Sequence, residues 1–451
     1  YKAGAGTLTR KKMDKITKRL MKEQNYVSAI GEKLVIIRGR AGTGKTFKLV
    51  RIAYELALHK NKRCLILTYN KALVGDIKRL LFHIGLEHEG VDDNVEISTL
   101  HSYIRDLIIS LGLVEKKETE VSSPNDLDNN RGKKEKKVLD DFLENYDEYL
   151  DEITEHIKVG SITHEDIKDL IKSREQSVLW DYLLIDESQD WDNKEKNILY
   201  KLFGSKSVVI SDGVDQMVRK SKRCDWKLNI PEFETTTERR SFRQKNNLVN
   251  FVNAFAEEYS LGWEVEPIKE LLGGSIYISE IENDFELFKR EKNKCLVDNT
   301  AYDFMFLTPP SLVNSGDGFS LTKEYEGHNF KLWDGTDKDL RSTYPDNLES
   351  HRLLQYESCR GLEAWSVVCL ALDNFVEHKI KYFQDEEIEQ SFAFIQDKEE
   401  NKRKHAYQWS LIPLTRPIDT LIITLKNPKS DFSKKLKTLA DEHSDFVYWE
   451  N

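Results

Sequence analysis

The residues most able to do chemistry in this chain stand in the run Gly39-Arg40-Ala41-Gly42-Thr43-Gly44-Lys45-Thr46. Glycines at these spacings let successive backbone N–H groups converge on phosphate oxygens, and a helix starting there adds the positive end of its dipole. Lys45 can then reach the β- and γ-phosphates of a nucleoside triphosphate, and the Thr46 hydroxyl can hold Mg²⁺. The pair Asp186-Glu187 supplies what the first run lacks. Asp186 would hold the same Mg²⁺ through water, while Glu187 would orient and deprotonate an attacking water. Gln216, which closes the run Ser211-Asp212-Gly213-Val214-Asp215-Gln216, is placed to feel a γ-phosphate. Arg243 and Arg416 are of the type needed to neutralise charge on a transferring phosphoryl group, because a planar guanidinium pairs with two phosphate oxygens at once. Either could equally be an ordinary surface arginine. Gln24 carries an amide that could read the donor–acceptor edge of adenine, or could simply be solvated on its helix.

The elements around these residues decide whether the spacing has meaning. The glycine run follows the apolar stretch 34–37 and leads into Phe47, Leu49, Val50, Ile52, Ala53, Leu56 and Ala57 at helical spacing. Strand, glycine loop and helix in that order make the run a Walker A element. The apolar run 182–185 ends directly in Asp186-Glu187, which is the form of a Walker B element. Further strands are expected at 64–68, 95–98 and 208–210. Thr99 and His101 follow the second of these, where parallel sheets bind ligands, or they cap the helix that comes next. A second α/β unit follows, with strands expected at 276–279, 304–308, 353–356, 366–371 and 421–425 and helices around 244–258, 284–290 and 398–410. It has no glycine loop of its own.

Composition sets outer limits. A chain of 451 residues can build two or three cores, and 32% charged with 39% hydrophobic residues is a globular balance. No apolar run approaches the ~18 residues that a membrane span needs. The five cysteines, Cys64, Cys224, Cys295, Cys359 and Cys369, show no paired spacing, so buried thiols in a reducing cytoplasm are expected. A net charge of −10 argues for a local nucleic-acid groove rather than a global basic field. Residues 1–30 read as a basic helix, with Met13, Ile16, Leu20 and Met21 on one face, and the start at Tyr1 leads us to expect a further segment upstream. The stretch 115–137 is polar and loop-like, and 105–178 reads as a small helical insertion.

Taken in order, the motifs resemble those of a superfamily 1 helicase of the UvrD/Rep type, from Gln24 to Leu425. Thr68-Tyr69-Asn70-Lys71-Ala72 resembles motif Ia and Thr99-Leu100-His101-Ser102 motif Ib, which implies single-stranded DNA contacts for Thr68, Tyr69, Asn70, Thr99 and His101. Asp186-Glu187-Ser188-Gln189 resembles motif II, whose Gln189 is implied to link the ATP state to the strand groove. Ser211–Gln216 resembles motif III, with Gln216 implied at the γ-phosphate. Ser241-Phe242-Arg243 resembles motif IV, which implies that Phe242 stacks on adenine and Arg243 meets the γ-phosphate. Glu357-Ser358-Cys359-Arg360-Gly361-Leu362-Glu363 resembles motif V, implying Gly361 and Glu363 on the nucleotide side, with Glu363 at the ribose, and Ser358 on nucleic acid. Leu414-Thr415-Arg416 resembles motif VI, with Arg416 as a second finger. There are departures. Motif III lacks its tryptophan-arginine-glycine continuation and Trp226 stands out of register, while Glu357 and Arg360 replace the usual histidine and lysine of motif V.

The resemblance implies an α/β fold of two tandem RecA-like P-loop domains with parallel sheets. The expected division is 1–235, ATP-binding and carrying the insertion at about 105–178, and 236–451, with a reduced insertion at about 311–345. The large accessory domain of Rep-like enzymes has no room between motifs IV and V. The expected activity is an ATP- and Mg²⁺-dependent translocase or helicase on single-stranded DNA, moving 3′→5′, with RNA left open. The alternative is an ATP-gated nucleic-acid switch that controls a partner such as a nuclease, in repair or antiviral defence, and unwinds little by itself.

Overall fold

The computed structural model describes residues 28–69, 72–75, 77–78, 94–110, 142, 145–160, 180–213, 223–241, 243–297, 303–313, 321–337, 340, 345, 351–382 and 395–450. Expectations that rest on Gln24, Asn70, Gln216, Phe242, most of the basic N-terminal helix or the polar stretch 115–137 lie outside those residues.

Runs of Val, Ile and Leu buried on both faces are what a parallel sheet demands. In the first unit they form β1 (Leu34–Gly39), β2 (Cys64–Thr68), β3 (Val95–Thr99), β4 (Tyr182–Ile185) and β5 (Val208–Gly213), joined at the edge by β6 (Phe233–Glu238). The order is β3-β2-β4-β5-β1-β6, and every pair is parallel. The helices are α1 (Lys45–Lys60), α2 (Leu100–Ser110), α3 (Tyr146–Val159) and α4 (Asn193–Phe203). Because β5 lies between β1 and β4, the loop after β1 and the acids after β4 open on one carboxyl edge, with Ser211 of β5 between them.

The second unit repeats the plan. Its strands are β7 (Ser275–Ser279), β8 (Phe304–Thr308), β9 (Leu332–Asp334), β10 (His351–Gln355), β11 (Ala364–Cys369), β12 (Pro417–Thr424) and β13 (Val447–Glu450). They are ordered β13-β7-β12-β11-β8-β10-β9, again all parallel. The helices are α5 (Asn246–Glu258), α6 (Phe285–Val297), α7 (Pro310–Val313), α8 (Leu321–Gly327), α9 (Leu372–Lys381), α10 (Ile395–Leu414) and α11 (Asp431–Glu442). The fold is α/β, two tandem domains each built on a parallel sheet.

Several element ends differ from expectation for local reasons. The strand expected at 353–356 stops at Gln355, because Tyr356–Cys359 closes into a 3₁₀ turn. The strand expected at 366–371 ends at Cys369, because Ala371 takes a left-handed φ of 46° to start α9. The strand expected at 421–425 begins four residues earlier at Pro417, a position where a strand needs no N–H donor. The expected division at 235 falls inside β6, which continues to Glu238. Within the stretch expected as a reduced insertion, Leu332–Asp334 is a strand of the second sheet, paired with β10. The expected helical insertion in the first unit contributes α3, which rests on α4 through a Lys194–Asp151 ion pair at 2.5 Å. All five cysteines are free and buried, as expected. Among the described residues no helix is long and apolar enough to cross a membrane.

Candidate nucleotide site

The loop from Gly39 to Lys45 has the backbone that its glycines permit. Gly42 and Gly44 hold φ values of 78° and 81°, a region that costs a side-chain-bearing residue strain. Gly39 is fixed by space instead, since a Cβ there would collide with Thr43 Oγ1 and crowd the Glu238 carbonyl. Lys45, 6% exposed, curls back so that Nζ donates to Arg40 O at 3.1 Å. Burial lowers its pKa, and the nearby Glu187 and Asp186 charges offset part of that.

Asp186 stands at the end of β4 with no exposed surface, and its carboxylate and carbonyl oxygens accept four hydrogen bonds. Thr46 Oγ1 donates to its Oδ2 at 2.8 Å, and Ser211 Oγ donates to Oδ1 at 2.5 Å. The Glu187 N–H donates to Oδ1 at 3.0 Å, and Trp191 Nε1 donates to the Asp186 carbonyl at 3.2 Å. The Thr46 hydroxyl and the Asp186 carboxylate, touching across the end of the sheet, form an all-oxygen donor pair that suits a hard cation such as Mg²⁺.

Burial pushes the Asp186 carboxyl up, with the Glu187 charge adding to it, while Ser211, Thr46 and Lys45 pull it back. Glu187 goes the other way. Burial would raise it, but the charges of Arg360 and Lys45, with hydrogen bonds from Gln189 and Arg360, bring it down to about 2. Glu187 also holds a left-handed φ of 49°, and strain of about 1–3 kcal/mol at one residue is typical of such a position. The turn is braced from behind by the capping box of α4. Asp192 accepts from the Lys194 N–H and Glu195 from the Asp192 N–H, both at 2.7 Å.

The second domain brings three arginines to this edge. Arg243 Nε meets Glu363 Oε2 at 2.7 Å and NH1 donates to Thr415 O at 3.2 Å. Arg360 NH2 meets Glu187 Oε2 at 3.0 Å, and its NH1 meets Asp190. Arg416 is 2% exposed, donating from Nε to Ile412 O at 2.8 Å, from NH2 to Thr415 Oγ1 at 2.9 Å and from NH1 to Leu362 O at 3.5 Å. It has no carboxylate partner among the described residues. Burial, with the Arg243 charge beside it, brings the pKa of Arg416 down to about 9. The segment that carries Arg360 and Glu363 is held by Arg352, which binds Asp303 and the Glu363 carbonyl, each at 2.8 Å.

Some expected residues have other work here. Glu363 is paired with Arg243. Gly361, φ 81°, faces Leu73 of the first domain, where a Cβ would come within 2.7 Å of Leu73 Cδ2. Its glycine is favoured by that φ, and any side chain there would also push the Leu73 side chain aside. Arg40 turns away from the loop to donate to Glu264 O at 2.7 Å and Gly262 O at 2.8 Å, over the Trp263 ring.

Of the residues placed by resemblance on nucleic acid, Thr68 is buried at the end of β2. The Tyr69 hydroxyl donates to Glu195, and its ring sets edges against His101 at 5.4 Å and Trp191 at 5.3 Å. Thr99 Oγ1 accepts from the Ser102 N–H at 3.2 Å, so the capping alternative describes it. Gln189, also buried, donates to Glu187 Oε2 and accepts from the Gly213 N–H, both at 2.7 Å. Ser358 lies in the 3₁₀ turn. Trp226 donates from Nε1 to Ser188 O at 2.8 Å inside the first core, packed on Trp191 and Tyr200. The sequence reading did not place Arg360, Asp190 or Ser211 in the site. Only Arg360 left a signal, as an odd residue in its motif.

These features are those of a P-loop nucleotide-binding protein. A family profile described as an AAA domain matches residues 22–221, the part that holds the glycine loop and both acids. No curated protein matches the chain. Among solved structures, the chain is similar to the DEAD-box helicase Mss116 bound to ssRNA and UDP-BeF, at 11% identity and a TM-score of 0.44, over 95% of this chain and 74% of that one.

Proposed function

We propose that this chain is an ATPase that hydrolyses ATP between its two domains and uses the cycle to move along single-stranded nucleic acid, with DNA the favoured strand and 3′→5′ the favoured direction. The observation that carries the reading is the meeting at one edge of Lys45, Thr46, Asp186 and Glu187 from the first domain with Arg243, Arg360 and Arg416 from the second. A single-domain kinase has no need of cations from a second α/β unit.

In this mechanism the loop N–H groups and Lys45 bind the phosphates, and Thr46 with Asp186 would hold Mg²⁺, which when bound would supply charge neutralisation at the phosphates. Glu187 orients a water and takes its proton, and the low pKa keeps it ionised throughout the physiological range. Arg243 and Arg416 stabilise the charge that develops on the γ-phosphoryl group. Domain closure and opening around the nucleotide would shift one half of a strand groove against the other. Such a protein acts in the cytoplasm.

A second reading, an ATP-gated switch that controls a partner such as a nuclease, is favoured by one observation. Between α5 and β10 the described chain is spent on β7, α6, β8, α7, α8 and β9, elements of the second domain and its sheet. Measuring ATP hydrolysis with and without single-stranded DNA or RNA, then strand displacement on 3′- and 5′-tailed duplexes, separates the readings. ATPase activity that ignores both nucleic acids would overturn the translocase.

A further inference from the structure

Resting on the ATPase reading above, we propose that Arg360 is a positioning residue that makes the placement of Glu187 conditional on the second domain being closed. Glu187 Oε2 is gripped from two sides. Gln189 Nε2 holds it at 2.7 Å from within the first domain, and Arg360 NH2 holds it at 3.0 Å from the second. Gln189 is itself locked, because its Oε1 accepts from the Gly213 N–H at the end of β5. The first grip is therefore permanent, while the second exists only while the domains touch.

The other arm of the guanidinium meets Asp190, whose N–H donates to Glu187 O at 3.1 Å. One planar fork thus ties both acids of a single 3₁₀ turn to the second domain, which a lysine, as a point charge, cannot do. The neighbouring residue reinforces the arrangement. Gly361, at a left-handed φ of 81°, brings this segment's backbone against the Leu73 side chain of the first domain, next to the Arg360 contact.

The consequence is mechanical. When the cleft opens, the Glu187 carboxylate keeps its amide partner and the more distant Lys45 charge but loses Arg360, and a left-handed residue whose carboxylate is held by one hydrogen bond has more freedom to swing. When the cleft closes, the carboxylate is fixed in the orientation it needs. A ligand that favours closure, such as a single strand lying across both domains, would raise turnover through Arg360 without touching the nucleotide.

The test compares wild type, Arg360→Ala, Arg360→Lys, Asp190→Asn and the Arg360→Ala/Asp190→Asn double variant, each with and without single-stranded DNA. Misplacement on this scale costs about 10–100-fold in rate, so Arg360→Ala should lose about that in kcat while KM for ATP stays within about threefold, the split expected of an interaction that matters in the transition state. Stimulation by the strand should fall close to onefold in Arg360→Ala and recover in part in Arg360→Lys. The double variant should be no worse than Arg360→Ala, since both changes remove one brace. Binding of a fluorescent ADP analogue should match wild type in all of them. Stimulation and kcat within twofold of wild type in Arg360→Ala would overturn the inference, as would loss of ADP-analogue binding or additive effects in the double variant. If wild type hydrolyses ATP, Lys45→Ala does not, and Arg360→Ala behaves as wild type, this inference fails alone. If wild type shows no ATPase activity, the proposed function fails and takes the inference with it.

Discussion

Replacing Arg416 by methionine should make the nucleotide-free protein more stable while nearly abolishing its turnover. The guanidinium is 2% exposed and has no carboxylate partner among the described residues, so it is held directly by backbone and hydroxyl oxygens, with the Glu187 charge acting from farther off. Its fall from the ordinary 12.5 to about 9 corresponds, at 1.36 kcal/mol for each tenfold in proton affinity, to an upper bound of about 4–5 kcal/mol for holding the charge there. Removing it also leaves the Ile412 and Leu362 carbonyls short of a donor, which costs about 1–1.5 kcal/mol each. The net is a gain of at most about 1–3 kcal/mol, within the range seen when buried charges give way to apolar groups of similar volume. For a domain of this size that is a rise of at most about 3–9 °C in Tm.

Thermal or urea unfolding without nucleotide measures this directly. Added ADP or a non-hydrolysable ATP analogue should then stabilise wild type more than Arg416→Met, because only wild type gains an anion for its buried cation. Turnover should fall on the order of 10³-fold. The pH dependence has a definite sign. Between about 9 and 12.5 the unfolded chain keeps this proton and the folded chain gives it up, so wild-type stability gains with rising pH there and the advantage of Arg416→Met narrows above pH 9. A nucleotide-free Arg416→Met protein that melts below wild type would refute the reasoning. It would mean that Arg416 is kept for its three hydrogen bonds, as a structural arginine.

Three other outcomes follow from the same geometry. Lys45→Ala should lose both nucleotide binding and hydrolysis, whereas Glu187→Gln should bind ATP and nucleic acid yet turn over slowly; wild-type hydrolysis by the glutamine variant would remove Glu187 as the base. Native cysteines should resist alkylation at pH 8 until the chain unfolds, since burial pushes Cys64, Cys224 and Cys359 up to about 12, and fast labelling of the folded protein would contradict that burial. The isolated chain should show strand-stimulated ATPase activity with feeble displacement of long duplexes, which strong processive unwinding by the monomer would disprove.

The glycine loop and the strand-end acids were legible in the sequence because backbone conformation and charge leave few residue types that work there. Gly42 and Gly44 need φ near 80°, and Asp186 needs a buried strand to deliver it to the edge. The strands that were missed lack that constraint. β6, Phe233-Glu234-Thr235-Thr236-Thr237-Glu238, is a half-exposed edge strand with almost no apolar run. β13 has four residues and is held by pairing with β7, a partner far away in sequence. The helix before it did carry a signal, a Ser430 cap that accepts from the Ser433 N–H, on a segment whose apolar residues fall on one face.

The site divides along the same line. Residues that act through their own backbone, or through neighbours on one strand–loop–helix unit, could be assigned from spacing. Residues that act by meeting a distant segment could not. Arg360 stands 170 positions from Asp190 and 173 from Glu187, and nothing in its motif says which acids it will face. The same logic explains why Tyr69, His101 and Thr99 turned out to be occupied. Their types suit nucleic acid, but each also has a near neighbour in the fold: Tyr69 donates to Glu195, Thr99 accepts from the Ser102 N–H, and His101 sets its ring against Tyr146. Motif residues of this kind can serve a strand only if the strand displaces or extends those contacts. A groove contact is therefore better sought in a measured change at Tyr69 and His101 on strand binding than in their identity alone.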